Sequence, residues 1–290
     1  MPETIPVLLF AYARPDHLRR VLDRLRENRV PRLEVFADGA KGPADAARVA
    51  EVRAQLRAID WCECRIVERE RNMGLGRNVL AAVSDAVTRH EAFIAWEDDL
   101  VCVPGTYAWM CAGLRHYRDD RRVMSVTAWT HPRVAPAGVG DQPYFDGRAE
   151  CWTWGSWARA WPGMNRSARE MMQAAATAGV AGAEFGSDLP VMAEQEKRKN
   201  IWAVRWIYHH LEERGLCLRP PWSMVEHVGF DDRATNAADD DVWSNPPLRA
   251  APPIPVSWPE PRLHPDCAPA WQAAFPPLSW LARLRWRFGR

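Results

Sequence analysis

The sequence predicts an α/β protein built on a mixed, mainly parallel sheet with helices on both faces. Three observations lead there. Short apolar runs alternate with helical stretches four times in succession between Ile5 and Tyr117. Four strand-then-helix units in a row argue a parallel sheet covered on both faces. A fifth run, Val123 to Trp129, extends the series before the pattern changes to short tryptophan-rich elements.

Ile5 to Tyr12 stops at Arg14-Pro15, and Asp16 is read as the cap of a helix with Leu18, Val21, Leu22 and Leu25 on one face. Leu33 to Asp38 precedes a helical stretch from Pro43 to Ile59. Cys64 to Glu68 precedes Leu75 to Arg89, and Ala92 to Trp96 precedes Pro104 to Tyr117. Beyond about residue 140 come Tyr144-Phe145, Cys151 to Trp161, a helix from Ile201 to Arg214, and strands near Leu216 to Arg219 and Met224 to Val228. The expected organisation is one domain over 1–236, in halves 1–130 and 131–236, followed by an extension over 237–290. Residues 237–277 are rich in Pro, Ala and Asp without periodicity, which suits an irregular wrap or a mobile tail. Leu281, Leu284 and Phe288 then oppose Arg283, Arg287 and Arg290 at helical spacing, a pattern shared by membrane-surface helices and helices packed on a domain.

Composition narrows the function. The chain of 290 residues is 47% hydrophobic, enough to bury a substantial core. Its 38 Lys and Arg against 37 Asp and Glu leave no field to attract nucleic acid. Seven scattered cysteines without a C-x-x-C pair suit a reducing compartment and disfavour a zinc site. With no signal-peptide pattern and no apolar run of spanning length, the expected location is the cytoplasm, with a peripheral contact to the membrane's inner face open through the C-terminus. Sixteen tryptophans are far more than usual, and indoles both fill cores and stack on sugar C–H faces.

In open parallel sheets ligands bind outside the carboxyl ends of the strands. There the sequence places Ala11 and Arg14, Asp38-Gly39, Asn72 to Asn78 with Gly74, and Glu97-Asp98-Asp99. Three successive carboxylates at a buried strand end repel one another unless a cation intervenes, and Mn²⁺ or Mg²⁺ is the simplest. A helix dipole can also account for the acidic cluster. Arg14 is suited to a phosphate, Asp38 to a base or ribose, and the glycine-bearing loop at a helix N-terminus to an anion or nucleotide edge. A turn explains Asp38-Gly39 and Arg14-Pro15 without any ligand.

Taken together the motifs resemble the GT-A glycosyltransferases, a Rossmann-like nucleotide-diphospho-sugar transferase fold, and within them the N-acetylglucosaminyltransferase I type and related bacterial transferases. The resemblance runs through Phe10-Ala-Tyr-Ala-Arg14-Pro15, Ala37-Asp38-Gly39, Asn72-Met-Gly-Leu-Gly76, Trp96-Glu-Asp-Asp-Leu100, Ser125 to Trp129, Cys151 to Trp157, Trp202 to Trp206 and Glu226 to Asp231. It implies a nucleoside diphosphate sugar donor, a saccharide or small-molecule acceptor, and direct metal binding by Asp99. It further implies that Asp98 and Glu97 belong to the donor site, that Arg14 and Asp38 contact the nucleotide, and that the Asn72–Asn78 loop closes over it. Trp129, Trp152, Trp154 and Trp202 fall where the family shapes sugar and acceptor pockets, Trp129 and Trp154 ahead of Trp157. His227 is a further metal contact or a satisfied strand histidine; Arg205 is a diphosphate clamp or a salt bridge.

One departure matters. Relatives usually place an Asp just before the tryptophan of the Trp202–Trp206 helix, where inverting members use it as general base. Asn200 and Ile201 stand there instead. Either Asp188, Glu194, Asp231 or Asp232 replaces it, Asp231 first, or the reaction retains configuration and needs no such base; inversion is preferred. Two rival readings accompany this one: a sugar-phosphate nucleotidyltransferase, against which the absence of glycine in Tyr12-Ala-Arg14-Pro15 speaks, and a non-catalytic carbohydrate-binding protein on the same fold.

Overall fold

Strand β1 (Val7–Ala11) is buried at all five positions, because it runs through the middle of the parallel part of the sheet. The structure, a computed structural model, describes residues 4–199, 201–229, 248–255 and 257–277. β2 (Arg32–Ala37) pairs with β1 on one side, and β3 (Glu63–Glu68) pairs with β2. β4 (Ala92–Glu97) pairs with β1 on its other side. All three pairings are parallel, so the order reverses between β1 and β4, and a crevice opens above their carboxyl ends.

Past β4 the sheet becomes mixed. β8 (Trp154–Trp157) runs antiparallel between β4 and β6 (Val123–Thr127), β9 (Leu216–Arg219) pairs parallel with β6, and β7 (Tyr144–Asp146) closes the edge antiparallel to β9. The eight-stranded order is β3-β2-β1-β4-β8-β6-β9-β7. A separate ribbon pairs β5 (Leu100–Cys102) antiparallel with β10 (Val225–His227), an association the sequence reading did not include.

Helices α1 (Pro15–Glu27), α2 (Pro43–Arg57), α3 (Leu75–Ala86) and α4 (Thr106–His116) follow β1, β2, β3 and β5. Pro15 opens α1 with Arg14 at its N-cap, so Asp16 serves the first turn and not the cap. Leu18, Val21 and Leu25 are buried as their spacing predicts, while Leu22 is only partly covered. The second half adds α5 (Ala168–Thr177), α6 (Asp188–Lys199) and α7 (Ala203–Glu213), with α5 packed on both others.

Within the expected irregular wrap there is a helix, α8 (Cys267–Ala274). Trp271 of α8 donates to Asp146 Oδ2 at 2.8 Å, over a fully buried Arg219–Asp146 ion pair of 2.9 Å. Upstream, Trp258 packs on Trp109 and His116, and Tyr117 and His264 bond across the wrap to Pro259 and Phe145. Residues 257–277 thus complete the β7–β9 edge. The basic segment from Leu278 to Arg290 lies outside the described residues. Among the described residues no helix is long and apolar enough to cross a membrane, and all seven cysteines are free.

Candidate active site

The crevice between β1 and β4 is where the acidic triplet arrives. Asp98 N–H donates to Phe10 O at 3.0 Å and Tyr12 N–H to Asp98 Oδ2 at 2.8 Å, so the two strand ends are tied together just before the chain turns. Asp99 faces the other way. Its Oδ2 accepts a hydrogen bond from the Arg14 guanidinium, and both side chains are largely buried.

The β5–β10 ribbon completes this corner. Register pairs His227 with Leu100, and Val228 N–H donates to Asp99 O at 2.9 Å. His227 Nε2 therefore comes within 3.7 Å of Asp99 Oδ2, while Nδ1 accepts Gly229 N–H at 3.2 Å. With Nδ1 accepting, the ring proton sits on Nε2, and ligation through Nε2 requires that proton to shift to Nδ1. Burial, opposed by Asp99, lowers the His227 pKa, which keeps the imidazole neutral. Gly229 is a site residue that spacing did not reveal: a Cβ there would sit 2.5 Å from both Arg14 Nη1 and Asp99 Oδ2.

Charge in the corner is out of balance. Burial first, then Asp99 and Asp98, raises the Glu97 carboxyl well above its ordinary range; burial and Asp99 do the same to Asp98. Asp99 Oδ1 is buried with no hydrogen-bond partner among the described residues. An unpartnered carboxylate oxygen beside two carboxyls that resist ionisation fits a hard divalent cation held by Asp99, with His227 adjacent. The three acidic side chains do not converge on one point, since Asp98 is turned to Tyr12. Of the three, Asp99 is the one with an unpartnered oxygen among the described residues.

Asp38, expected to touch the nucleotide, is committed elsewhere. Its Oδ1 accepts from Gly39 N and Met73 N at 2.9 and 2.8 Å, and its Oδ2 from Asn72 Nδ2 and Gly74 N at 3.1 and 2.9 Å. Four donors saturate a carboxylate, so Asp38 is the anchor of the Asn72–Gly74 loop and not a direct ligand. Asn72 Nδ2 also donates to Gly39 O at 2.8 Å, and Gly39 packs so tightly on Arg71 that a Cβ would lie 2.5 Å from its carbonyl carbon. Gly74, at φ 74°, turns this loop into α3. Asn78 is buried: its Nδ2 donates to Phe36 O at 3.1 Å and its Oδ1 accepts from Arg69 at 3.0 Å, a structural role. Ala11 ends β1 with its carbonyl accepting Asp38 N–H. Tyr12, not singled out beforehand, donates through its hydroxyl to Asp45 at the start of α2 and lies under Lys41.

No protein-family model and no curated protein matches the chain. Solved structures do. A mannosyltransferase from Pyrobaculum calidifontis in complex with GDP-Man and Mn²⁺ is similar over 54% of this chain at 15% identity, with a TM-score of 0.39. This chain covers 45% of that enzyme's length. An apo UDP-glucose pyrophosphorylase is similar over 77% of this chain and 93% of its own, at 10% identity and a TM-score of 0.40. A cytidylyltransferase from Leptospira borgpetersenii covers 56% and 63%, at 10% identity and 0.35.

The tryptophans divide between core and site. Trp154 is 1% exposed, edge-on to Phe93 and packed with Trp161, Trp202 and Trp206. Trp154 and Trp202 are therefore core, against the pocket role expected of them, because Trp154 lies on the central strand β8 and Trp202, at the start of α7, packs onto it. Trp157 is core as well. Trp152 is half-buried, with its ring 4.6 Å from His227, while Trp129 is buried behind it at 4.9 Å and belongs to the core, against the pocket role expected of it.

The remaining candidates leave the site. Arg205 is paired with Glu196 on α6, the salt-bridge alternative. Asp188 is gripped by Arg148 through two bonds of 3.0 and 2.7 Å, which takes both oxygens away from base duty. Glu194 is exposed on α6. Asp231 and Asp232 lie outside the described residues. A cluster of His209, Glu212 and Glu213 has ligand-like spacing, but both His209 nitrogens and Glu212 are occupied by Ala160 O and Arg166 or by each other.

Proposed function

We propose that this chain is a metal-dependent glycosyltransferase that moves a sugar from a nucleoside diphosphate donor, UDP-linked, to a hydroxyl of a saccharide or small-molecule acceptor. One observation carries the reading: at the point where strand order reverses, a guanidinium and a neutral imidazole meet a buried carboxylate that has an unpartnered oxygen. That is the chemistry needed where a diphosphate must be held and its negative charge stabilised as it leaves.

In this proposal Asp99 would hold Mn²⁺ or Mg²⁺ with His227 beside it, and such an ion would supply positive charge for a departing diphosphate. Arg14 binds the phosphates and the anchored Asn72–Gly74 loop borders the nucleotide. Trp152, with Trp129 buried behind it, presents an apolar face to a sugar ring. Asp231 is the general base: it stands two residues along the chain from Gly229, which touches Arg14 and Asp99, and it supports an inverting reaction.

The test is release of nucleoside diphosphate from UDP-sugars with and without Mn²⁺. Metal-dependent release, lost in Asp231→Asn while nucleotide binding persists, is the expected result. Glycan binding without any release would establish the non-catalytic reading, and pyrophosphate formation from a nucleoside triphosphate and a sugar phosphate would establish a nucleotidyltransferase.

A further inference from the structure

The Asp99 carboxylate already carries a cation, the guanidinium of Arg14. We propose that Arg14 is an exchangeable counter-ion, seated on Asp99 until metal and diphosphate arrive together and then transferred to the diphosphate. The proposal rests on the nucleoside diphosphate reading of the site.

The two partners differ in freedom. Asp99 is fixed by backbone on both sides, through Asp98 N–H to Phe10 O at 3.0 Å and Val228 N–H to Asp99 O at 2.9 Å. Its short side chain cannot leave. Among the described residues Arg14 is held at its backbone by the first turn of α1, where its carbonyl accepts Leu18 N–H at 3.0 Å, and at its side chain by Asp99, so its long side chain is the movable member. Gly229 closes on the pair so tightly that the space for a Cβ is missing, and Oδ2 is the oxygen that Arg14 occupies. Oδ1 of the same carboxylate is the unpartnered one.

Coupling follows from charge. A divalent ion at Asp99 and a guanidinium on the same carboxylate repel, so metal alone must displace an existing ion pair. A diphosphate offers the guanidinium paired oxygens in the geometry it binds best, so Arg14 gains a partner as it gives one up. Linkage then requires reciprocity: nucleotide strengthens metal binding by the same factor by which metal strengthens nucleotide binding.

The experiment is Mn²⁺ titration of the full chain, read by the electron paramagnetic resonance of free Mn²⁺, for the wild type, Arg14→Met and Arg14→Lys, each with and without UDP, GDP, CDP or dTDP. Thermal melts confirm that each variant folds. Without nucleotide, Arg14→Met is expected to bind Mn²⁺ about tenfold more tightly than the wild type, inside the roughly 5–150-fold range of such couplings, and the gain from nucleotide largely disappears. Arg14→Lys, which keeps the charge, stays close to the wild type. Equal or weaker Mn²⁺ binding by Arg14→Met, with the gain from nucleotide intact, overturns the exchange while leaving the site in place. Absence of Mn²⁺ binding in every protein with every nucleotide overturns the site reading and the exchange together. Should Arg14→Met fail to fold, the wild type decides alone: independent binding of metal and nucleotide refutes the exchange.

Discussion

At position 99 stability and function pull apart. Asp99 sits beside two carboxyls that burial and mutual repulsion hold toward their protonated forms, and one of its own oxygens is unpartnered. Asp99→Asn relieves that repulsion in a side chain of the same shape. It also takes the counter-charge from Arg14, so the two effects oppose and the melting temperature of the free protein is expected to change little, while stabilisation by nucleotide with Mn²⁺ is lost. A large fall in the melting temperature of the free variant would instead make Asp99 a structural residue. The tryptophans separate in the same way. Trp152→Ala, at the half-buried wall beside His227, is expected to raise the KM for a sugar substrate with little change in stability. Trp154→Ala, inside a fully packed aromatic cluster, costs about 3–5 kcal/mol in urea unfolding. Equal stability losses in the two variants would refute this division.

At the level of elements, the loop between β3 and α3 depends on a carboxylate on the far side of a strand. Asp38→Ala leaves buried donors of Gly39, Asn72, Met73 and Gly74 without their acceptor, at a cost of about 3 kcal/mol, and frees the loop that borders the proposed nucleotide. Urea unfolding and nucleotide affinity should both weaken. Another carboxylate ties β2 to α3: Glu34 bonds Arg89 at 2.7 and 2.8 Å and His90 at 2.6 Å. Burial pushes its carboxyl up, but those bonds outweigh burial and hold it at about 2 against an ordinary 4.5. A carboxyl depressed in the folded state stabilises above its unfolded value and loses that contribution as pH falls. Stability should therefore drop from about pH 4.5 toward pH 2, and Glu34→Gln, less stable at neutral pH, should show a shallower drop. Strands β1 to β4 and β6 and the first four helices were legible because apolar period and turn residues are local signals, whereas β5 was not anticipated. The role of Asp38 was not, since its loop donors lie more than thirty residues away and only the fold shows that they saturate it. Nor did local spacing separate Trp152 from Trp154: the register of β8 between β4 and β6 buries the second and leaves the first beside His227. The β5–β10 pairing that carries His227 and Gly229 to Asp99 had no signature within either segment.

For the molecule as a whole, one sheet supports both halves of the site. The parallel strands supply Arg14 and the acidic triplet, and the mixed half supplies Trp152 and, through the ribbon, His227. The wrap from 257 to 277 belongs to this unit, because Trp271 seals the buried Arg219–Asp146 pair and stacks under Arg148 at 4.0 Å. Trp271→Ala should lower the free energy of urea unfolding by about 3–5 kcal/mol in a single transition; two separate transitions would show the wrap to be an independent unit. The central claim is that a nucleoside diphosphate and a divalent cation share the corner at Asp99. Thermal melting of the purified chain with UDP, GDP, CDP and dTDP, each with and without Mn²⁺, tests it most directly. The account predicts a rise in melting temperature with one nucleotide, UDP, seen only when Mn²⁺ is present. A rise that ignores the metal, or no rise with any of the four, would contradict it.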